Sequence, residues 1–187
     1  MIKTKDQLFE YIHAEEDECK KIGYKGAIHS YVTQCEIGKI HSFLVTLRKD
    51  EYYSNNIEKG FFYKALSLFY RRKHNKLGLK LGMSIPINTF GKGLIIYHSQ
   101  GIIVHKNARI GENCKLHGLT CIGNNGRDND NCTPILGNNI DIGVGASIIG
   151  NVKLADNIKI AAGAVVCNSC NKDGAVLKGV PAKFKME

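Results

Sequence analysis

The sequence predicts a mainly β chain: a parallel β-helix of six-residue repeats, three per coil, preceded by a small α-helical region. Three observations carry this. From about Pro86 an aliphatic residue returns at every sixth position, at Val104, Ile110, Leu116 and Ile122, then at Leu136, Ile142, Ile148, Leu154, Ile160 and Val166. The next residue is often Gly or Ala (Gly111, Gly123, Gly137, Gly143, Ala155, Ala161). The fifth position is usually small or β-branched (Ala108, Thr120, Ala146, Val152, Ala164). Such a period is too short for a helical hairpin and too regular for a sandwich. It fits a solenoid in which one aliphatic per short strand points inward and a small residue lets the backbone turn each corner. The change of pattern divides the chain into a helical region, 1–82, and a β-helix domain, 83–187.

In the helical region Thr4-Lys5-Asp6-Gln7 has the form of a capping box, with Leu8, Phe9, Tyr11 and Ile12 following at helical spacing. A second helix is predicted over Ile37 to Tyr53. A third covers Glu58 to Lys76, with Phe61, Phe62, Ala65, Leu66 and Phe69 as its apolar stripe, expected to meet the core or another subunit. It ends in the basic run Arg71-Arg72-Lys73-His74-Asn75-Lys76. That run suits peripheral contact with an anionic membrane, or a solvated helix end where cations are favoured by the dipole. No nucleic-acid motif accompanies it.

With 43% hydrophobic and 23% charged residues in 187, the chain can bury a core and is not a disordered tail. Twenty glycines without a G-X-Y period exclude collagen. A net charge of +9 admits anionic partners without choosing among them. Seven cysteines are an odd number, and MIKTKDQLFEYIH has no apolar signal core. The most apolar stretch, Gly60 to Tyr70, contains Lys64 and is too short to span a bilayer. A cytoplasmic chain with reduced thiols is expected. Cys167-Asn168-Ser169-Cys170 is a single CxxC without a second ligand pair, and Cys170 falls on the small fifth position, where packing accounts for it.

The repeat breaks twice. Extending the register upstream gives Phe90 and Ile96, but Ile96 to Val104 is two residues too long, the excess lying in Tyr97-His98-Ser99-Gln100-Gly101. Ile122 to Leu136 is eight too long, the excess forming a loop, 123–135, centred on Asn124 to Thr133. Polar insertions on a rigid scaffold commonly carry function. Counting three units per coil puts those starting at 96, 116, 142 and 160 on one face. His98 and His117 are therefore expected near each other on adjacent coils, a candidate acid/base pair. His117 can equally be a surface or interface histidine bonded to a neighbour.

Tyr97 to Val104, the following hexads and the closing Gly179-Val180-Pro181-Ala182-Lys183 resemble the hexapeptide-repeat acetyltransferases, in particular the serine acetyltransferase-like branch. The resemblance implies a left-handed parallel β-helix, a homotrimer with active sites between subunits, and acetyl-CoA lying along the coils as co-substrate, with no metal. It puts His98 on the family's catalytic histidine, the general base on an acceptor hydroxyl. It implies CoA contacts from Val144, Gly145, Ala162, Gly123 and Asn124, and places Lys178 and Lys183 toward the CoA phosphates.

Three departures bear on the acceptor. Met83 stands where the family has an Asp supporting the histidine, Tyr97 where an Asp directly precedes it, and Cys132-Thr133 where an Arg-His pair grips the amino acid. A zwitterion needs a cation for its carboxylate and an anion for its ammonium. The expectation is therefore a saccharide hydroxyl, as in polysaccharide O-acetyltransferases, with serine the alternative; Asn88, His117 or a neighbouring subunit would orient His98. A metal-dependent reading with His98, His105 and His117 as ligands competes, but the register puts His105 on a different face.

Overall fold

The computed structural model describes residues 1–126 and 132–185. Helix α1 (Lys5–Lys21) starts at the predicted capping box: Thr4 Oγ1 accepts from the Gln7 amide at 3.1 Å and Gln7 Oε1 from the Thr4 amide at 3.2 Å. The short helix α2 (Ala27–Thr33), which the sequence did not predict, begins at Gly26 without a side-chain cap. Its sequence, AIHSYVT, has little helical propensity of its own. Helix α3 (Glu36–Ser54) matches the second predicted helix. The third is displaced. Gly60, at φ 120°, separates a 3₁₀ turn (Ile57–Lys59) from α4 (Phe61–Leu81).

The face that α4 buries also differs from the predicted stripe. Ser67, His74, Gly78 and Leu81 point inward, while Phe61, Phe62 and Phe69 are 87%, 69% and 58% exposed. Close approach explains this. A Cβ on Gly78 would stand 2.7 Å from the Met83 carbonyl oxygen, so small and polar side chains let α4 lie against α3 and the first strand. His74 gains a 3.0 Å contact from Nδ1 to the buried Asp50 carboxylate.

A buried arginine ties the helices to the β-helix. Arg48 has no exposed surface. Its Nε and Nη2 donate to Glu15 of α1, its Nη1 to Glu51 of α3, and Nη1 and Nη2 also reach the carbonyls of Phe90 and Gly91 in the first coil.

From Met83 the strands form three faces. One carries Met83–Ser84, Ile102–Val104, Cys121–Gly123, Ser147–Ile149 and Val165–Val166. A second carries Arg109–Ile110, Ile135–Leu136 and Lys153–Leu154. The third carries Ile95–Ile96, Lys115–Leu116, Asp141–Ile142, Lys159–Ile160 and Val176–Lys178, closed by antiparallel Lys183–Lys185. All other pairings are parallel. Every aliphatic of the predicted register, from Val104 to Val166, is at most 5% exposed, as are Phe90 and Ile96. A column of asparagines holds one edge. The amide of Asn113 donates to Asn139, that of Asn139 to Asn157 and that of Asn157 to Asp173, and all three asparagines have φ near +57°. Short polar side chains tolerate that left-handed corner. Of the longer insertion, residues 127–131 lie outside the described residues.

Candidate functional site

The first break in the repeat is shaped by what docks on it. Gln100 and Gly101 take φ of 73° and 67°, the Gln100 amide donates to the last carbonyl of α4, that of Leu81, at 2.8 Å, and the Leu119 amide donates to the Gln100 carbonyl at 3.1 Å. Gly82 must be glycine-like here: its φ is +64° and a Cβ would lie 3.2 Å from Gln100 Cα. The extra residues thus seat the end of α4 and project His98 outward, with 71% of its side chain exposed.

The first residue of α3 meets this turn. Glu36 Oε1 accepts from the Ser99 amide at 2.7 Å and from Ser99 Oγ at 2.8 Å, and Oε2 lies 3.4 Å from His98 Nδ1. The Ser99 amide holds the Glu36 carboxyl below its ordinary pKa, so it is an anion near neutral pH. A proton on Nδ1 faces that anion and leaves Nε2 as the acceptor nitrogen. Of the orienting groups expected, Asn88 is elsewhere: its amide donates to Glu51 and its side chain pairs with Asn55. Glu36 is the carboxylate that stands against His98 Nδ1, and nothing in the repeat pattern pointed to it. A cleft of about 340 Å³ opens beside it, lined by Gln34, Glu36, Lys39, Lys80, Ser99 and Gln100.

His117 is on the same face but not against His98. The register sets Ile96 beside Leu116, so His117 follows opposite Tyr97 and Gly118 opposite His98. The His117 ring stacks on Tyr97 at 4.4 Å, 7° from parallel, and its Nε2 lies 2.8 Å from Asp141 Oδ1. The two histidines stand on neighbouring coils one register step apart, each with its own carboxylate, Glu36 for His98 and Asp141 for His117.

Two positions beyond the inward aliphatic, the third face presents a column: His98, Gly118, Val144, Ala162 and Gly179, by the pairing of Ile96, Leu116, Ile142, Ile160 and Leu177. Val144 and Ala162 are exposed, Gly145 has φ +73°, and the Gly163 amide donates to the Val144 carbonyl at 2.9 Å. Lys178 pairs with Lys183 across the closing antiparallel strands, bringing two ammonium-bearing residues to the same end. Gly123 and Asn124 stand apart from this column, at the far end of the next face, where the Gly150 amide donates to the Gly123 carbonyl.

The remaining candidates fall out of the site. Met83 is buried and pairs with Ile102. Thr133 is turned inward, its hydroxyl donating to the Asn107 carbonyl at 3.0 Å. His105 lies on the next face, its Nδ1 accepting from the Asn107 amide, so the three histidines of the metal reading are not brought together. Among the described residues no cluster of three such ligands occurs. Cys167 is exposed and Cys170 buried, both as free thiols.

No family model matches the chain. Over 98 residues it is 31% identical to a serine acetyltransferase of Synechococcus elongatus, covering 52% of this chain and 40% of that one. Over 96 residues it is 32% identical to a serine acetyltransferase of Staphylococcus xylosus, covering 51% and 44%. The matched segment is thus less than half the length of either relative. Among solved structures, soybean serine acetyltransferase complexed with serine superposes with a TM-score of 0.74 at 18% identity, over 97% of this chain and 70% of that one. Brucella abortus serine acetyltransferase in complex with coenzyme A gives 0.68 at 21% identity, over 96% and 66%. The fold is that of these neighbours: a left-handed parallel β-helix behind a helical N-terminal region.

Proposed function

We propose that the chain is an acetyl-CoA-dependent O-acetyltransferase in which His98 is the general base. The observation that carries this is the column joining His98 to Val144 and Ala162, with Glu36 fixing the imidazole at its head. Successive rungs are about 4.8 Å apart, so the column spans roughly 14 Å, room for an extended pantetheine arm against backbone amides. Lys178 and Lys183 lie toward its far end, where the nucleotide phosphates would sit. Val144, Gly145 and Ala162 are the CoA-contacting residues of this reading, and Gly123-Asn124 border the neighbouring corner.

In the reaction, His98 Nε2 removes the acceptor's hydroxyl proton as the oxygen attacks the thioester carbonyl carbon. The tetrahedral intermediate collapses, breaking the C–S bond, and the imidazolium returns its proton to the departing CoA thiolate. The products are an O-acetyl ester and CoA. Base catalysis of this kind contributes on the order of 10²–10⁴ in rate. His117, held by Asp141 and stacked on Tyr97, borders the reacting centre and is a positioning residue. The exposure of His98 leaves one wall of the site open in a single chain, which suits a homotrimer with sites between subunits.

For the acceptor we assign free serine. Two serine acetyltransferase relatives favour it, and so does the cleft beside Glu36, whose carboxylate would meet the ammonium while Lys39 and Lys80 would meet the carboxylate. Charges from the helical region thus replace those absent at Met83, Tyr97 and Cys132-Thr133. A saccharide hydroxyl is the second reading, favoured by Met83 and Thr133 being buried and closed to substrate. Thiol release from acetyl-CoA, measured with L-serine and with a panel of sugars and nucleotide sugars, separates the two. Turnover with serine supports the assignment, and turnover with sugars alone overturns it. His98→Ala is expected to abolish transfer with the fold retained; undiminished activity would refute the mechanism.

A further inference from the structure

Helix α4 carries an apolar strip that neither the core nor the proposed site uses. At ~100° per residue its outward line runs through Phe61, Ala65, Leu68, Arg72 and Leu79, with Phe62 and Phe69 to one side. Phe61 and Leu79 are 87% and 85% exposed, Phe62 and Leu68 more than 60%. The same helix has six Lys and Arg and no Asp or Glu. Lys64 and Arg71 flank the apolar line on one side and Lys73 and Lys76 on the other, while Lys80 belongs to the acceptor cleft. An exposed aromatic and aliphatic strip of this size marks an interaction surface. Beside it a pocket of about 650 Å³ between α2, α3 and α4 continues the same character: Tyr31, Phe69 and Tyr70 form apolar wall, and Lys39, Lys49 and Lys73 stand around it.

We propose that this face docks the protein on an anionic lipid surface, with α4 lying in the plane of the interface. An amphipathic helix whose apolar strip is bordered by cations suits that position: the rings enter the acyl boundary while the Lys and Arg stems extend toward anionic headgroups. No helix among the described residues is long and apolar enough to cross a membrane, so the contact is peripheral. Charge argues against a two-fold contact with a second copy. A two-fold contact places the same patch against itself, and here that sets six cations against six.

The test is co-sedimentation of the full chain with vesicles of phosphatidylcholine containing phosphatidylglycerol, against phosphatidylcholine alone, with the oligomeric state followed by light scattering. Binding is expected only to the anionic vesicles, and salt that shortens the Debye length from about 10 Å to about 3 Å should release it. Arg72→Gln with Lys76→Gln should weaken partitioning about 25-fold, or fivefold per cation. Phe61→Ser with Phe62→Ser should weaken it at least as far; all four residues are exposed, so folding and acetyl transfer to a soluble acceptor should be unchanged. Absence of vesicle binding, or binding that neither pair alters, overturns the proposal. So does a change of oligomeric state on the phenylalanine substitutions, which would give the face to a second copy.

Discussion

In the proposed reaction, base and acceptor both depend on Glu36. It is the first residue of α3, its carboxylate bonded to Ser99 and set against His98 Nδ1. If it also receives the ammonium of serine, Glu36→Gln removes one charge-assisted contact. The expected result is a rise of about tenfold in KM for serine, the lower end of what a hydrogen bond to a charged group contributes, because Glu36 is 46% exposed. KM for acetyl-CoA should not move. A saccharide acceptor would show the opposite, an unchanged acceptor KM with a lower kcat. Acid melts give an independent check on the Ser99 contact. The folded carboxyl has its pKa lowered below 4.5, chiefly by the Ser99 amide. Its contribution to stability is therefore full above the unfolded value and is lost as pH falls through the lowered folded value. The gap in Tm between wild type and Glu36→Gln should be constant at neutral pH and close only at pH below about 4.5. A gap that closes near neutrality would mean that another group holds Ser99.

The elements of the helical region are joined to the β-helix through Arg48 as well as through an apolar core that runs from Phe43, Leu44 and Leu47 into Met83, Phe90 and Leu94. The Arg48 guanidinium bridges Glu15 and Glu51, each at most 2% exposed, and caps two carbonyls of the first coil. Removing one member of such a group leaves the others charged and buried. Arg48→Ala is expected to cost about 3–5 kcal/mol in denaturant unfolding. Arg48→Met with both glutamates changed to glutamine should recover much of that loss. A loss under about 1 kcal/mol for Arg48→Ala would show that water replaces the guanidinium. This latch was not legible in the sequence, because its members are 33 and 3 positions apart and no periodicity marks a buried ion group. The β-strands were legible for the opposite reason. Each coil imposes the same steric demand at the same position, so one inward aliphatic per unit recurs along the chain. The stripe assigned to α4 failed because helical spacing identifies an apolar face but not which face is covered. Gly78 and Ser67 gave the true inner face, and small residues carry little weight in a hydrophobic pattern.

At the scale of the whole molecule, the β-helix converts sequence spacing into distance along a single edge. His98, Val144 and Ala162 are separated by 46 and 18 positions in the chain but stand on one column, because the register pairs Ile96, Leu116, Ile142 and Ile160 in order. The placement of His98, Val144 and Ala162 was readable from the unit count alone. That His117 would meet Tyr97 and Asp141 was not, since those contacts come from neighbouring coils that the unit count does not rank. The column makes a claim that can be tested away from the chemistry. Ala162 is exposed and lies three rungs from His98, beyond reach of a small acceptor and within reach of a bound pantetheine. Ala162→Trp should block the column without disturbing the core, and should weaken CoA binding by at least tenfold in calorimetry. KM for serine and the melting temperature should stay as in the wild type. Tight CoA binding in that variant would move the cofactor to another edge, the Gly123 and Asn124 corner being the next candidate. His98 would then have to be reached across the coil rather than along it, and a loss of acetyl transfer in Asn124→Trp but not in Ala162→Trp would establish that route.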